Sequence, residues 1–345
     1  MGLSAIGMEI VINNIQYNSL DAMAGTVAPA VISFLREWYD DKPYVMGHTS
    51  GSTGEPKPVQ LLKTDMRASA QLTNAHLGID AASTLLLCLS PSYIAGKMMI
   101  VRALEAGARL CVVEPSSQPL SQVNEAVTLA AMIPMQVIEM LKLADGAARL
   151  SQVKHLLVGG APVNEQLEAQ LKQLSSHIYI TYGMTETVSH VALRAVGEPL
   201  YTALGDVAFE CDSRGCLVID APQLSGRRYV TNDIVELADA KHFAWVGRYD
   251  NVIISGGLKY SAERLERKLE HCIAERYYIV GCPDEVLGER IVLCIEAVPY
   301  DAEKMSQLQQ AMAERLTRYE LPREVQFLAQ FEMTATGKVK RKYPL

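Results

Sequence analysis

VKHLLVGGAPVNEQLEAQLKQLSSHIYITYG, residues 153–183, decides the fold. It opens on a short apolar run closed by two glycines and ends on a β-branched, aromatic run closed by Gly183. A helix is expected between them, over 164–174. The same alternation holds upstream: TLLLCLS (84–90) reads as a strand, GKMMIVRALEAG (96–107) as a helix and RLCVVE (109–114) as a strand. AAMIPMQVIEMLKLA reads as helical on either side of Pro134. Residues 19–39 are expected to be helical, with Ser19 as N-cap and Pro29 as a break, and so are 64–78. Strands that alternate with helices imply a largely parallel sheet covered on both faces. The texture changes near 203, where short strands and turns predict an antiparallel element. After GRYDN (247–251) comes a smaller α+β unit: a strand, the helix SAERLERKLEH, the strands YYIVGC and RIVLCIEAV, and a helix over 302–317. The expected fold class is therefore α/β. A large N-terminal domain, 1–248, has a mainly parallel sheet plus an antiparallel element, and a small α+β domain, 249–345, follows.

The bulk properties narrow the function. A chain of 345 residues fits two domains. Its formal net charge of −7 argues against a general nucleic-acid or anionic-membrane surface. The seven cysteines are odd in number, form no C-x-x-C, and several lie in apolar runs, which fits free thiols in a reducing cytoplasm and not a zinc site. No apolar run reaches membrane-span length, and MGLSAIGMEIVINN lacks the basic start and long apolar core of a signal peptide.

Six segments carry candidate chemistry. HTSGSTGEPKPV (48–59) is a loop, since Gly and Pro exclude a helix or a central strand. Such a loop is usually a solvated turn. Its other reading is a phosphate cradle, with backbone N–H groups, hydroxyls and Lys57 around an anion. It does not match the kinase-type phosphate loop, because Gly51 and Gly54 are too close and Pro58 follows Lys57. ITYGMTETVSH (180–190) sets two hydroxyls and Glu186 just past a strand, where ligands bind in open α/β sheets. Glu186 can hold Mg²⁺, a cation that takes oxygen ligands; a capped turn is the plainer reading. VGGAPV (158–163) allows close backbone approach to a flat ring. YVTNDIVEL (229–237) offers Asp233 to a pair of hydroxyls. GRYDNVIISGGLKYSAERLE (247–266) offers Arg248, Asp250, Gly256 and Gly257, and TATGKVKRK (334–342) is a Gly-Lys turn in a basic tail. Singly, each is matched by an ordinary turn or solvated tail.

In this order and spacing the segments closely resemble the adenylate-forming enzymes: acyl-CoA synthetases, adenylation domains and luciferases. GCPDEVLGERIVLCI (281–295) also looks like that family's C-terminal domain. The resemblance runs from about residue 44 to the end and implies roles for named residues. Thr49, Ser50, Gly51, Ser52, Thr53, Gly54 and Lys57 would hold the ATP phosphates. Gly160, Ala161, Pro162, Tyr182 and Gly183 would line the adenine. Thr185 would contact phosphate and Glu186 would hold Mg²⁺. Asp233 and Arg248 would bind the ribose hydroxyls, Asp250 would be the hinge of a mobile small domain, and Gly256 and Gly257 would border the CoA tunnel. Lys338 would be the catalytic lysine of adenylation. Three departures stand out. Only 48 residues precede the phosphate loop, far fewer than is usual, so the large domain is N-terminally shortened. The aromatic-His pair after Pro91 is contracted to PSYIAG. Asn232 stands where Gly is usual, which a left-handed turn would tolerate.

Within the family, YGMTETVSHVALR and the shortened chain resemble the o-succinylbenzoate–CoA ligases of menaquinone synthesis. Such an acid keeps one carboxylate free, and a carboxylate in a pocket needs a cation. Lys97, near Tyr93, is the first candidate, with His190 and Arg194 next; a solvated Lys at a helix start is the equal alternative. The residues leave open a ligase for another aryl or short acyl acid, a non-catalytic nucleotide-binding protein, and a homodimer in which a second subunit completes the shortened cleft.

Overall fold

The computed structural model describes residues 9–48, 57–333 and 339–343. They fall into two compact units: residues up to 208 with 219–229, and 209–218 with 230 onward. No helix among them is long and apolar enough to cross a membrane.

The first unit is built on a mixed sheet. Its strands are β1 (Ile10–Ile12), β2 (Ile15–Tyr17), β5 (Thr84–Leu87), β6 (Arg109–Val112), β7 (Val127–Met132), β8 (Val153–Val158), β9 (His177–Gly183), β10 (His190–Ala195) and β11 (Tyr201–Ala203), and a separate hairpin pairs β3 (Tyr44–His48) with β4 (Pro58–Leu62). Spatial order along the sheet is β11-β10-β9-β8-β7-β5-β6-β1-β2. β6, β5, β7, β8 and β9 run parallel to their neighbours, while β10 and β11 turn antiparallel. The order reverses between β5 and β7, so the loops after those strands open a crevice at their carboxyl ends. The helices are α1 (Pro29–Trp38), α2 (Lys63–Leu77), α3 (Ile94–Ala106), α4 (Pro134–Leu141), α5 (Gly146–Ser151) and α6 (Glu165–Leu171).

The opening stretch folds as its pattern predicts. Asn164 caps α6 by accepting the Leu167 N–H at 2.9 Å. Leu167 and Leu171, one turn apart, bury against Leu86, Ala130, Leu156 and Ile180 of four adjacent parallel strands, with Val137 and Met140 of α4. Each such leucine contributes about 2 kcal/mol of burial.

Two local expectations differ from the structure. Residues 130–132, expected as helix before Pro134, belong instead to the strand 127–132, because Val127, Leu129, Ala130 and Met132 are buried in the sheet and Pro134 occupies the first turn of α4. Likewise Pro29 begins a helix where a break within 19–39 was expected; only a short 3₁₀ turn, Asp21–Met23, precedes it. The expected small domain also contains two more strands than anticipated, Leu258–Ser261 and Glu324–Leu328.

The chain continues through β12 (Ala208–Cys211), β13 (Cys216–Ala221), β14 (Arg227–Asp239) and β15 (His242–Arg248), then β16 (Val252–Ser255), β17 (Leu258–Ser261), α7 (Ala262–Leu269), β18 (Tyr277–Asp284), β19 (Gly288–Glu296), α8 (Ala302–Arg315) and β20 (Glu324–Leu328). In the second unit β14 and β15 pair antiparallel. A second sheet runs β17-β16-β19-β18, with β20 parallel to β19. Ile253, Leu265, Leu269, Ile279, Leu293 and Met312 form its core.

Candidate active site

β8 and β9 are parallel neighbours, with Val158 opposite Ile180 near their carboxyl ends. Gly160, Ala161 and Pro162 therefore emerge beside Tyr182 and Gly183. A Cβ on Gly159 would lie 2.0 Å from Thr181 Oγ1, so only glycine lets the β8 turn approach β9 this closely. The Tyr182 ring is held edge-on to Tyr201 at 5.8 Å.

Gly183 pairs with His190, which closes the segment 184–189 into a loop between β9 and β10. The Thr187 hydroxyl accepts the Met184 N–H at 3.0 Å and lies 2.8 Å from the Ser189 carbonyl oxygen. Val188 is held at φ 55°, rare for a β-branched residue, by the bond from its N–H to the Thr185 carbonyl at 2.9 Å. This strained loop presents an exposed Glu186 beside a buried Thr185. The Tyr229 phenol is pushed up by burial and by the Asp65 and Glu186 carboxylates.

The hairpin of β3 and β4 pairs His48 with Pro58 and so closes the base of the expected phosphate loop. Lys57 is exposed there. Thr49, Ser50, Gly51, Ser52, Thr53 and Gly54 lie outside the described residues, as does Lys338.

The three cations expected at the acid are already engaged. Lys97 is buried, with Nζ 3.2 Å from Glu37 Oε2 and 4.9 Å from the Phe34 ring centre; Glu37 Oε1 accepts the Met46 N–H of β3. Arg194 grips Glu168 with two parallel bonds of 2.8 Å, which raises the guanidinium further and lowers the carboxyl. His190 is buried, its Nε2 3.0 Å from Thr73 Oγ1, and burial, then the Arg102 and His76 charges, holds it well below 6.5 and uncharged. Tyr93, at the start of α3, is exposed.

A fourth cation escaped the sequence reading. Arg102 of α3 is 2% exposed, and among the described residues it has no ion pair. Its Nη2 donates to Ser189 Oγ at 2.7 Å, while its Nε and the nearby Asn74 Oδ1 have no hydrogen-bond partner among the described residues. Asn74 Nδ2 donates to the Arg102 carbonyl at 2.9 Å. Burial pulls the guanidinium down to about 10. A buried charge without a counter-charge is costly, and an incoming carboxylate would relieve it. The signal in the sequence was GKMMIVRALEAG itself: a helix apolar on every face is buried, and its one arginine with it.

In the second unit β14 and β15 place Asp233 directly opposite Arg248. Arg248 Nη1 is 3.4 Å from Asp233 Oδ1 and its Nη2 is 2.6 Å from Asp250 Oδ2. The Trp245 Nε1–H also donates to Asp233 Oδ1, at 3.2 Å. Asn232 corrects one expectation: it lies inside β14 without a positive φ, so no left-handed turn is needed. Its side chain bonds instead, donating to Asp250 Oδ1 at 3.0 Å and accepting from Arg214 at 3.0 Å. Gly256 and Gly257 form the two-residue turn between β16 and β17, at φ 58° and 80°, a conformation that glycine adopts without strain. Residues 339–343 are tied down: Arg341 Nη2 meets Glu266 Oε2 at 2.7 Å, and the Tyr278 hydroxyl donates to the Lys342 carbonyl at 2.6 Å.

The chain is similar to proteins of a known family. The family model of AMP-binding enzymes matches residues 15–214, more than half of the chain, and that of the AMP-binding enzyme C-terminal domain matches 269–338. The 2-succinylbenzoate–CoA ligase of Bacillus cytotoxicus is 25% identical over 332 residues, covering 86% of this chain and 68% of the relative. The Escherichia coli protein of the same name is 29% identical over 302 residues, covering 83% and 64%. A solved acyl-CoA synthetase (AMP-forming)/AMP-acid ligase II-like protein from Dyadobacter fermentans is 34% identical with a TM-score of 0.63, and 93% of this chain aligns with 95% of it. The chain thus spans about two thirds of those two curated relatives and nearly the whole of the Dyadobacter chain.

Proposed function

The chain belongs to the AMP-binding enzyme family, and from that premise we propose that it is an AMP-forming acid–CoA ligase whose acid is o-succinylbenzoate. The observation that carries the substrate assignment is Arg102, a buried guanidinium with no ion pair among the described residues. A dicarboxylic acid can leave one carboxylate on that cation while the other reacts. The curated relatives named for this activity support the same reading.

In the first step a carboxylate oxygen bonds to the α-phosphorus of ATP and pyrophosphate leaves. Both reactants are anionic, so the protein must screen and align them. Residues 49–57 and Thr185 hold phosphates, Gly160–Pro162 and Tyr182 flank the adenine, and Asp233 and Arg248 take the ribose hydroxyls. Lys338 brings positive charge to the reacting oxygens. Among the described residues no three His, Cys, Asp or Glu converge on a metal-sized gap. Glu186, exposed on its strained loop, suits Mg²⁺, which takes one or two carboxylates and fills its shell with phosphates and water. The ion would supply charge neutralisation at the phosphates. In the second step the CoA sulfur attacks the acyl carbon and AMP leaves. We place the boundary between the ATP and acid domain (1–248) and the small domain (249–345) at Arg248–Asp250, with Asp250 as hinge and Gly256–Gly257 facing the pantetheine arm.

A ligase for another aryl or short acyl acid is the second reading. Incubation with ATP, Mg²⁺, CoA and a panel of acids tests both. Pyrophosphate release and thioester mass should be greatest with o-succinylbenzoate, about tenfold or more above benzoate-type monoacids, given the worth of a charged contact. Higher kcat/KM for a monoacid would overturn the substrate, and no pyrophosphate with any acid would overturn the enzyme class.

A further inference from the structure

A polar chain runs through the second unit from Asp212 to Asp233. Arg214 Nε donates to Asp212 Oδ2 at 2.8 Å and its Nη2 donates to the Thr231 carbonyl at 3.0 Å. The guanidinium also lies 5.1 Å over the Tyr249 ring. Its Nη1 donates to Asn232 Oδ1 at 3.0 Å, which fixes the amide with its nitrogen outward. That nitrogen donates to Asp250 Oδ1 at 3.0 Å. The other Asp250 oxygen receives Arg248 Nη2 at 2.6 Å, and Arg248 Nη1 reaches Asp233 Oδ1 at 3.4 Å.

We propose that Asn232, oriented by Arg214, is a positioning residue that aims the Asp233–Arg248 pair at the nucleotide's ribose through Asp250. This inference rests on the proposed assignment of Asp233 and Arg248 to the ribose hydroxyls. Arg248 faces two carboxylates, and how its guanidinium divides between them depends on where Asp250 points. With the Asn232 amide on Oδ1, Asp250 offers Oδ2 to Arg248 and leaves Nη1 turned toward Asp233. A glycine at 232 could supply neither bond, and Asp250 would be free to draw Arg248 away. Because Asp250 is also the proposed hinge, the same amide links the grip on ribose to the hinge segment.

The test compares ATP with 2′-deoxy-ATP and 3′-deoxy-ATP in the pyrophosphate-release assay, with wild type, Asn232→Ala, Asn232→Asp and Arg214→Met. Wild type should prefer ATP. Asn232→Ala should raise the KM for ATP about three- to tenfold, as expected for one hydrogen bond, with little change for the deoxy analogues, so that the preference shrinks. Asn232→Asp keeps the size but sets a carboxylate against Asp250, and it should lose more than Asn232→Ala. Arg214→Met should follow Asn232→Ala. A side chain that merely fills space would make Asn232→Asp the milder change and leave the ATP preference intact; either result overturns the proposal. If wild type itself shows no preference for ATP over both deoxy analogues, the ribose assignment fails instead. Unchanged thermal midpoints show that the variants are folded, since the network lies at the surface.

Discussion

Lys97 Nζ lies 3.2 Å from Glu37 Oε2, joining α3 to α1, the helix that precedes β3. Glu37 uses its other oxygen on the Met46 N–H, in the strand that leads to the proposed phosphate loop. Lys97→Ala should therefore act on the fold before it acts on the acid. Stability should fall by roughly 1–3 kcal/mol, less than for a fully buried pair because Glu37 keeps partial solvent contact. The urea midpoint measures this. The apparent constants for ATP and acid should rise together, and a rise for the acid alone would restore Lys97 to the substrate.

Arg102→Ala should show the opposite split. With the counter-cation gone, the constant for o-succinylbenzoate should rise about ten- to a hundredfold while that for ATP hardly moves. Arg102 has no ion pair among the described residues, so Arg102→Ala should lower stability only through lost packing and the Ser189 bond, and Arg102→Lys should recover part of the affinity as a point charge without the fork. Thermal midpoints and paired KM measurements decide it.

Glu186→Gln keeps the size of the side chain and removes its charge from the loop between β9 and β10. Pyrophosphate release should fall by about two orders of magnitude or more, and raised Mg²⁺ should recover part of it. The fold should be unaffected, since Glu186 is exposed.

His155 and His190 make stability depend on pH. Both are held below 6.5: His155 by burial and then by the charges of Lys154, His177 and His76, His190 by burial and then Arg102 and His76. A depressed imidazole pKa means that the unfolded chain binds the proton more tightly than the folded one. Stability is then complete above about pH 6.5 and falls as the pH drops below it. His155 is stacked on His177 at 5.4 Å, and neither of its ring nitrogens has a partner among the described residues. His155→Phe should keep the stacking, gain about 1 kcal/mol from the lost polar atoms, and flatten the decline in Tm between pH 7 and 5.5. An unchanged slope would place the pH dependence elsewhere.

The sequence carried the parts whose signals are local. Residues 153–183 announced strand, helix and strand, because Leu167 and Leu171 repeat at helical spacing between two β-rich runs. The glycines at 159–160 and 256–257 likewise marked turns that no other residue makes as well. What was not legible depends on distant partners. Lys97 read equally as the cation for the acid or as a solvated helix-start lysine, and its partner is Glu37, sixty positions away. Arg194 resembled a free cation, yet Glu168 binds both its nitrogens. Val127–Met132 has an apolar content that suits helix or strand, and only its place between β5 and β8 decides for strand. Asn232 was judged by backbone tolerance, whereas its side chain bonds to Arg214 and Asp250 on two other segments.

Lys338 belongs to TATGKVKRK, and the residues just after it are firmly held. Val339 bridges to Met333, Lys340 N–H donates to the Glu332 carbonyl at 2.8 Å, and Arg341 is clamped by Glu266. Residues 332–333 and 339–341, on either side of 334–338, are thus joined to each other and to Glu266. Adenylation needs positive charge where carboxylate and α-phosphate meet, and the role proposed for Lys338 has it supply that charge when the small domain closes on the phosphates. Thioester formation has no such need, since the adenylate is already activated. Lys338→Ala should therefore reduce pyrophosphate release from acid and ATP by about two to three orders of magnitude. Thioester formation from synthetic acyl-adenylate and CoA should continue near the wild-type rate. A solvated tail lysine would leave both half-reactions unchanged. Equal loss of both would mean that one domain orientation serves the whole cycle, and the division of labour about Asp250 would have to be abandoned.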